Sequence, residues 1–152
     1  WVPKAAQINN NSFEVAVSDG YGTDVQKGKV FVNNAPTVIS NPKPVGLTGH
    51  NWRYKMTSKD LNGDKVAYRA VRLPKYAEFD KKKATVEWTP RKNQMGMNDF
   101  ILMAVDEHGA TSTHEFQVHV FNDPSTQQLV NTGWPLMLTF VGVVFAWGMA
   151  QI

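Results

Sequence analysis

The 152-residue sequence predicts an all-β protein, a two-sheet Greek-key β-sandwich accompanied by part of a second copy and followed by one C-terminal transmembrane α-helix. Three observations lead to this prediction. Short runs of Val, Thr, Phe, Tyr and Trp alternate with Gly, Pro, Asn and Asp, which is typical of strands joined by turns. One segment recurs at a fixed spacing, and the last residues form an uncharged run of bilayer length.

The composition narrows the classes of function. The chain has no cysteine, which excludes disulfides, thiolate nucleophiles and thiolate metal sites. The net charge of +3 is scattered apart from Lys81, Lys82 and Lys83, interpreted as a solvated hairpin turn, so no nucleic-acid partner is predicted. The sequence also lacks a recognisable Ser/His/Asp pattern, a Gly-rich phosphate loop and paired carboxylates in a pocket context. No enzymatic activity is therefore predicted.

Two segments of the chain match each other at one constant offset. The first segment contributes Trp1, Pro3, Phe13, Asp19 and Gly22, which align with Trp88, Pro90, Phe100, Asp106 and Gly109. After a one-residue insertion the match continues, and Val30, Val32, Asn34 and Pro36 align with Val118, Val120, Asn122 and Pro124. Residues 1–34 are therefore interpreted as the last strands of a first repeat and residues 35–123 as a complete repeat. The period of about 88 residues is the size of an immunoglobulin-like sandwich.

About seven strands are predicted within the complete repeat. Trp52, Tyr54 and Met56 alternate with polar residues, as a strand with one buried face should. The predicted strands cover residues 37–40, 52–57, 65–71, 77–79, 84–88 and 100–105, and a last strand carries Phe116, Val118 and Val120 inward. Residues 84–88 should pair with 77–79 across the lysine-rich turn. The apolar run 100–105 predicts a central strand buried on both faces.

Several motifs resemble the bacterial cadherin-like (dystroglycan-type) immunoglobulin repeat. They are Asn34-Ala35-Pro36, Asp60-Leu61-Asn62-Gly63-Asp64, Glu87-Trp88-Thr89-Pro90, and Val105-Asp106 followed by Gly109. The resemblance covers about 120 of the 152 residues. It implies a cadherin-like sandwich, and proteins built from such repeats are similar in being surface or secreted stalks, adhesins and modules of larger assemblies.

One loop carries candidate metal ligands. Asp60, Asn62 and Asp64 alternate around Gly63, so a turn there gathers oxygen side chains of the kind that Ca²⁺ prefers. The alternative is that Asn62 and Gly63 form a tight turn in which the Asp side chains cap backbone N–H groups. Asp106 is expected at the same end of the sandwich.

The resemblance extends this candidate site. In cadherins an Asp-x-Asp pair, a later Asp and linker carbonyls hold calcium between successive repeats, and Asp60, Asn62 and Asp106 fall on matching positions. The linker residue Asn34 completes the predicted set. This chain has Asn33 and Asn34 where cadherin linkers carry aspartates. Asp19 is the expected counterpart of Asp106 in the first repeat.

The remaining histidines and tryptophans are weaker candidates. No metal-ligand spacing relates His50, His108, His114 and His119, which are predicted to be structural or exposed. Trp1 and Trp88 recur in register and are therefore predicted to serve core or turn packing. Trp52 is a candidate contact for a surface glycan.

The uncharged residues 134–152 predict a membrane-spanning helix. At 1.5 Å per residue it is about 28 Å long, close to the hydrocarbon thickness of a bilayer. Trp134 suits the membrane interface and Pro135 the first helical turn. Gly142, Ala146 and Ala150 form a small-residue face on which a partner membrane protein is expected to pack. The rival interpretations are a buried helix or an aggregation-prone strand, and residues 124–133 are the predicted linker.

Together these observations favour a non-enzymatic, single-pass membrane protein with its sandwich in the periplasm or outside the cell. Its function would be that of a surface stalk or adhesion-type module, stiffened by Ca²⁺ between repeats. A second hypothesis is an accessory subunit of a larger membrane complex, with its helix docked in the bilayer and its sandwich capping the outer face. A third is a module that binds surface glycans or other proteins.

Overall fold

The computed structural model describes residues 1–125 of the chain. Residues Trp1–Asn122 form one compact unit. Its strands are β1 (Asn9–Ser18), β2 (Thr23–Val32), β3 (Thr37–Val38), β4 (Val45–Leu47), β5 (Trp52–Lys55), β6 (Ser58–Lys59), β7 (Ala67–Arg72), β8 (Ala77–Asp80), β9 (Thr85–Trp88), β10 (Gly96–Val105) and β11 (Thr111–Phe121). Two short 3₁₀ turns, Ala5–Gln7 and Lys92–Gln94, precede β1 and β10. The prediction of an all-β fold is confirmed for the described residues.

Residues 35–121 contain two principal sheets. One sheet has four strands in the order β4-β11-β10-β7, in which β4 runs parallel to β11 and the other pairs are antiparallel. The second sheet has three antiparallel strands in the order β5-β9-β8. The short strands β3 and β6 pair with each other. As predicted, β8 and β9 are joined across the turn that carries the three lysines.

The core lies between these two sheets. Alternate residues of β5, β9, β10 and β11, together with Met56 directly after β5, supply it, because successive side chains of a strand point to opposite faces. Its members are Trp52, Tyr54, Met56, Val86, Trp88, Phe100, Leu102, Ala104, Val118 and Val120. Full burial of each large apolar side chain stabilises the fold by about 1.5–3 kcal/mol relative to exposure. The predicted alternation of inward residues along β5 and β11 is confirmed.

Some predicted strand boundaries are wrong. The strand predicted over 52–57 ends at Lys55, where pairing with β9 stops. The chain becomes a strand again at Ser58, as β6, which pairs with β3 instead. The run 100–105 is not buried on both faces: Ile101, Met103 and Val105 are only partly buried, on the face of β10 turned away from the core. The strand itself is longer than predicted and begins at Gly96. Strands β4 and β6 were not predicted.

The hairpin of β1 and β2 has the same local structure as the hairpin of β10 and β11. The two 3₁₀ turns, and likewise β1 and β10, lie 87 positions apart in the sequence. In both hairpins an asparagine side chain donates to the carbonyls four and two residues before it, at 2.6 and 3.0 Å for Asn11 and at 2.8 and 3.0 Å for Asn98. The correspondence supports the interpretation of residues 1–34 as part of another repeat, which stays a prediction.

The remaining described residues, 123–125, begin a second unit. Within it the Asp123 carboxylate accepts hydrogen bonds from the Ser125 N–H and hydroxyl at 2.9 and 2.6 Å. No helix within residues 1–125 is both long enough and apolar enough to span a bilayer. Most of the predicted linker lies outside the described residues. The same is true of the predicted span 134–152, with its residues Trp134, Gly142, Ala146 and Ala150.

Candidate functional site

The loop after β6 is folded by its own first carboxylate. Asp60 Oδ1 accepts hydrogen bonds from the backbone N–H groups of Asn62 at 2.8 Å and Asp64 at 3.3 Å. Gly63 has φ +83°, a left-handed conformation that residues with a Cβ rarely adopt. The backbone of this loop is therefore a turn capped by the Asp60 side chain. The second oxygen of Asp60 takes no part in the capping.

The turn between β10 and β11 is folded in the same way. Asp106 Oδ1 accepts hydrogen bonds from the N–H groups of His108 at 2.9 Å and Ala110 at 2.8 Å. Its Oδ2 accepts a third hydrogen bond, at 2.8 Å, from Asn33 Nδ2 in the segment that follows β2. Asp106 thus connects its own turn to the hairpin that precedes the complete repeat.

Asp19 has an equivalent position in the first hairpin. Its Oδ1 accepts hydrogen bonds from the N–H groups of Tyr21 at 2.9 Å and Gly22 at 2.8 Å. These bonds lower the pKa of the Asp19 carboxyl because they stabilise its ionised form. Asp19 and Asp106 thus both accept the N–H two residues later, whereas the second bond comes from the third residue after Asp19 and from the fourth after Asp106.

The two turns bring three carboxylates together. One oxygen each from Asp60, Asp64 and Asp106 lies within 4.8 Å of the others, although the last is far from the first two in sequence. The buried atoms Asp60 Oδ2, Asp64 Oδ2 and Asn33 Oδ1 have no hydrogen-bond partner. Buried polar atoms are nearly always hydrogen-bonded in proteins, so oxygens without a hydrogen bond are positions that a donor or a cation could satisfy.

The electrostatics of the cluster differ between its members. Burial raises the pKa of Asp64, the His108 imidazole opposes this, and the carboxylates of Asp60, Glu107 and Asp106 raise the pKa further. Burial alone would also raise the pKa of Asp106, but its hydrogen bonds from Asn33 and from the backbone N–H groups of its turn hold that pKa below the ordinary value. A positive partner beside Asp64 would therefore oppose the rise in its pKa.

Asn62 and Asn34, also predicted as ligands, make a different set of contacts. Asn62 Oδ1 accepts the backbone N–H of Asn34 at 2.7 Å. Asn62 Nδ2 donates to Asn9 Oδ1 at 2.9 Å and to the Val32 carbonyl at 3.0 Å, two residues that face each other at the open end of the first hairpin. The Asn34 side chain donates to the Ala35 carbonyl at 2.7 Å. The Asn62 amide therefore holds the linker and the hairpin against the complete repeat, whereas the Asn34 amide makes a bond within the linker.

His108 is a member of the site that sequence reasoning missed. Its Nε2 lies 3.7 Å from Asp64 Oδ2, and its ring packs on Phe31 of β2 with 4.8 Å between centroids. The spacing of the histidines in the sequence does not predict His108 as a ligand, because its contacts, Asp64 and Phe31, lie in distant parts of the chain. Its position two residues after Asp106, in the turn predicted to approach the Asp60 loop, was the available signal.

Two predictions for tryptophans are wrong. Trp52 is 5% exposed, its ring lies 5.2 Å from that of Phe100, and its indole N–H donates to the Lys43 carbonyl, so it presents no face to a sugar. Trp1 is exposed rather than packed, whereas its counterpart Trp88 is buried. The physical reason is that Trp88 packs on Trp52 of β5, and residues 1–125 contain no equivalent strand beside Trp1.

The other histidines agree with structural or surface roles. His114 is half-buried against the rings of Tyr54 and Phe116. His119 stacks on Phe121, with centroids 4.2 Å apart, on the outer side of β11. Neither side chain lies in a group of potential metal ligands among the described residues.

Residues 35–121 match the model of the He_PIG family, described as "Putative Ig domain". No curated protein matches the chain. Among solved structures, the endo-fucoidan hydrolase MfFcnA4 of glycoside hydrolase family 107 is similar with 22% identity and TM-score 0.47, over 80% of this chain and 20% of that chain. The EC1-3 fragment of mouse clustered PcdhgC3 is similar with 12% identity and TM-score 0.45, over 72% of this chain and 43% of that chain. The chain thus spans about a fifth of the hydrolase and less than half of the mouse fragment.

Proposed function

Because this chain belongs to the He_PIG family of Ig domains, we propose that it is a non-enzymatic interaction module of an extracytoplasmic, membrane-anchored protein. In this proposal the complete repeat joins end to end with a preceding repeat, of which β1 and β2 are a part. Calcium at the junction stiffens the pair. The module therefore acts as a section of a surface stalk or adhesion-type protein.

The observation that carries the proposal is the contact made by Asn62. Its side-chain oxygen accepts the Asn34 N–H in the linker, and its side-chain nitrogen donates to the Asn9 side chain and to the Val32 carbonyl in the hairpin. A flexible tether between independent domains has no need of such fixed contacts. A junction held by directional hydrogen bonds is what a stalk of successive repeats requires.

The donor set at the junction fits calcium. Asp60, Asp64 and Asp106 would hold the ion, since they offer carboxylate oxygens close together, and one oxygen each of Asp60 and Asp64 is buried without a hydrogen bond. Asn33 Oδ1, also buried and unpaired, would add a neutral oxygen from the linker. When bound, the ion supplies positive charge that offsets the mutual repulsion of the carboxylates. Because the ligands come from two loops and the linker, binding would connect all three.

Thermal unfolding in calcium and in chelator tests the metal. Ca²⁺ at one hundred times its Kd should stabilise the folded chain by about 2.7 kcal/mol. The variants Asp60→Asn and Asp64→Asn should each lose most of this stabilisation. Glu78→Gln, which removes an exposed carboxylate from β8, should retain it. Identical melting temperatures of the unmutated chain in calcium and in chelator would contradict the calcium proposal.

The membrane anchor is supported by the uncharged run 134–152 alone. We expect the chain to remain with membranes after alkaline extraction. High pH releases proteins that are held at the membrane surface by charge, whereas an apolar helix of bilayer length stays in the hydrocarbon layer. Leu138→Arg combined with Val144→Arg should release it, since charged residues near the bilayer centre oppose insertion. Release of the unmutated chain would contradict the anchor and leave the Ig-domain assignment untouched.

A further inference from the structure

A second set of potential ligands lies beside the three aspartates. One atom each from Asp64, Glu107 and His108 lies within 4.8 Å of the others. Asp64 belongs to both groups, whereas Glu107 and His108 extend from the turn between β10 and β11 toward solvent. This second set differs chemically from the first, because it contains an imidazole nitrogen.

The Asp64 side chain is largely buried, and its Oδ2 lacks a hydrogen bond. The side chain is 9% exposed, and Oδ2 is buried and unpartnered apart from the His108 ring 3.7 Å away. Leaving a buried carboxylate oxygen without a donor is costly, and more so for a charged group. His108 and Glu107 are exposed, so an ion can reach Asp64 from the solvent side.

We propose that Asp64, Glu107 and His108 bind a divalent first-row transition ion of the Zn²⁺ type. Imidazole nitrogen with carboxylate oxygens is a ligand set that suits such ions, whereas Ca²⁺ takes oxygen ligands. Two ligand atoms bound at about 2.0–2.1 Å to a tetrahedral ion lie about 3.4 Å apart. The 3.7 Å between His108 Nε2 and Asp64 Oδ2 is close to that separation. A water molecule would complete the coordination.

The ion would act on the junction through His108. The imidazole packs on Phe31 of β2, so fixing its orientation also fixes the surface on which the first hairpin rests. Asp64 links the same ion to the loop that carries Asn62. The transition ion would therefore tie together the β10–β11 turn, the Asp60 loop and the hairpin.

Isothermal titration of the detergent-solubilised chain, prepared without a histidine tag, with ZnCl₂ tests the proposal. The unmutated chain should bind one Zn²⁺ equivalent, and Co²⁺ should give visible absorption of a nitrogen- and oxygen-ligated ion. His108→Gln and Glu107→Gln should weaken Zn²⁺ binding at least about tenfold, since even residues that only support metal ligands contribute this much. His119→Gln removes a histidine elsewhere and should leave binding unchanged.

The calcium variant separates the two sites. Asp60→Asn should retain Zn²⁺ binding while losing the calcium response, and His108→Gln should do the reverse. Circular dichroism of each variant shows that it is folded before titration. Absence of Zn²⁺ binding by the unmutated chain, or equal Zn²⁺ affinity in folded His108→Gln, would overturn the transition-metal proposal without affecting the calcium proposal.

Discussion

The ring of Phe13 lies over Gly28, its cross-strand partner in the first hairpin. At the corresponding place in the second hairpin, Phe100 pairs with Phe116, and their rings stack with centroids 5.0 Å apart and planes 6° from parallel. The registers are equivalent, but the surroundings are not. Phe13 is 47% exposed, whereas Phe100 is completely buried because the sheet of β5, β9 and β8 covers it. The two phenylalanines therefore form a matched pair for measuring what the second sheet contributes.

Truncation of this pair should have unequal effects on stability. Phe100→Ala should lower the free energy of unfolding by about 3–5 kcal/mol, because it removes a buried ring and leaves a cavity. Phe13→Ala should cost less than about 1 kcal/mol, since nearly half of that ring is already in water. Urea denaturation of both variants measures the difference. Equal costs would mean that the first hairpin has a cover that residues 1–125 do not show.

The left-handed backbone conformation in the Asp60 loop should require glycine at position 63. Gly63→Ala places a Cβ on a residue with φ +83°, and we expect a cost of about 1 kcal/mol in the free energy of unfolding from backbone strain alone, because no atom lies within 4 Å of the added carbon. Gly22→Ala is the matched control, since it also meets nothing within 4 Å and its φ is not left-handed. Denaturant titration of the two variants gives the comparison. A smaller effect at position 63 than at 22 would contradict the turn geometry.

The junction should loosen when Asn62 is shortened. Asn62→Ala removes the acceptor of the Asn34 N–H and the donor to the hairpin, with an expected cost of about 1–3 kcal/mol. The local readout is hydrogen exchange of the Asn34 amide, which should accelerate. Asn51→Ala, at an exposed loop position, should change neither stability nor exchange. Unchanged protection of the Asn34 amide in Asn62→Ala would show that the linker is held by other contacts.

His114 should make the sandwich less stable in mild acid. Burial lowers the pKa of His114, and its Nε2 is buried without a hydrogen-bond partner. The unfolded chain, in which a histidine pKa is about 6.5, therefore binds this proton more readily than the folded chain. The free energy of unfolding should consequently be highest above about pH 6.5 and fall as the pH drops below it.

Substitution identifies the contribution of His114. His114→Gln should flatten the decline of melting temperature below about pH 6.5, because the variant has no proton to bind at that position. His119→Gln, which removes a histidine from the outer side of β11, should leave the decline in place. A pH profile of His114→Gln that coincides with that of the unmutated chain would contradict this prediction.

The parts of the fold that follow from local pattern could be predicted from the sequence. The inward positions of Trp52 and Tyr54 follow from alternation, and the equivalence of Phe13 and Phe100 follows from the repeat. Strand β4 could not be predicted, because it has three residues and exists through parallel pairing with β11, far along the chain. The exposure of Trp1 also could not, since a repeated residue indicates an equivalent position without indicating what covers it.

The candidate site was predictable in its carboxylates and not in its amides. Asp60 and Asp64 follow from the oxygen side chains that alternate around Gly63, and Asp106 follows from its expected end of the sandwich and from the resemblance to cadherins. The bond between Asn33 and Asp106 joins residues 73 positions apart, and nothing in the surrounding sequence distinguishes Asn33 Nδ2 as a donor. The same holds for Asn62, whose side chain was expected to face an ion and instead bonds the hairpin and the linker.

The parallel pairing of β4 with β11 determines how the complete repeat would respond to mechanical tension. Strand β4 lies near the beginning of the repeat and β11 at its end, so a pull on the two ends would slide these strands past each other. Their hydrogen bonds, flanked by His119 N–H to the Pro44 carbonyl at 2.9 Å and Thr48 N–H to the Phe121 carbonyl at 3.0 Å, would be loaded in shear and all at once. Antiparallel ends would instead open one bond at a time. We therefore expect this order of strands to make the repeat resist force along its length.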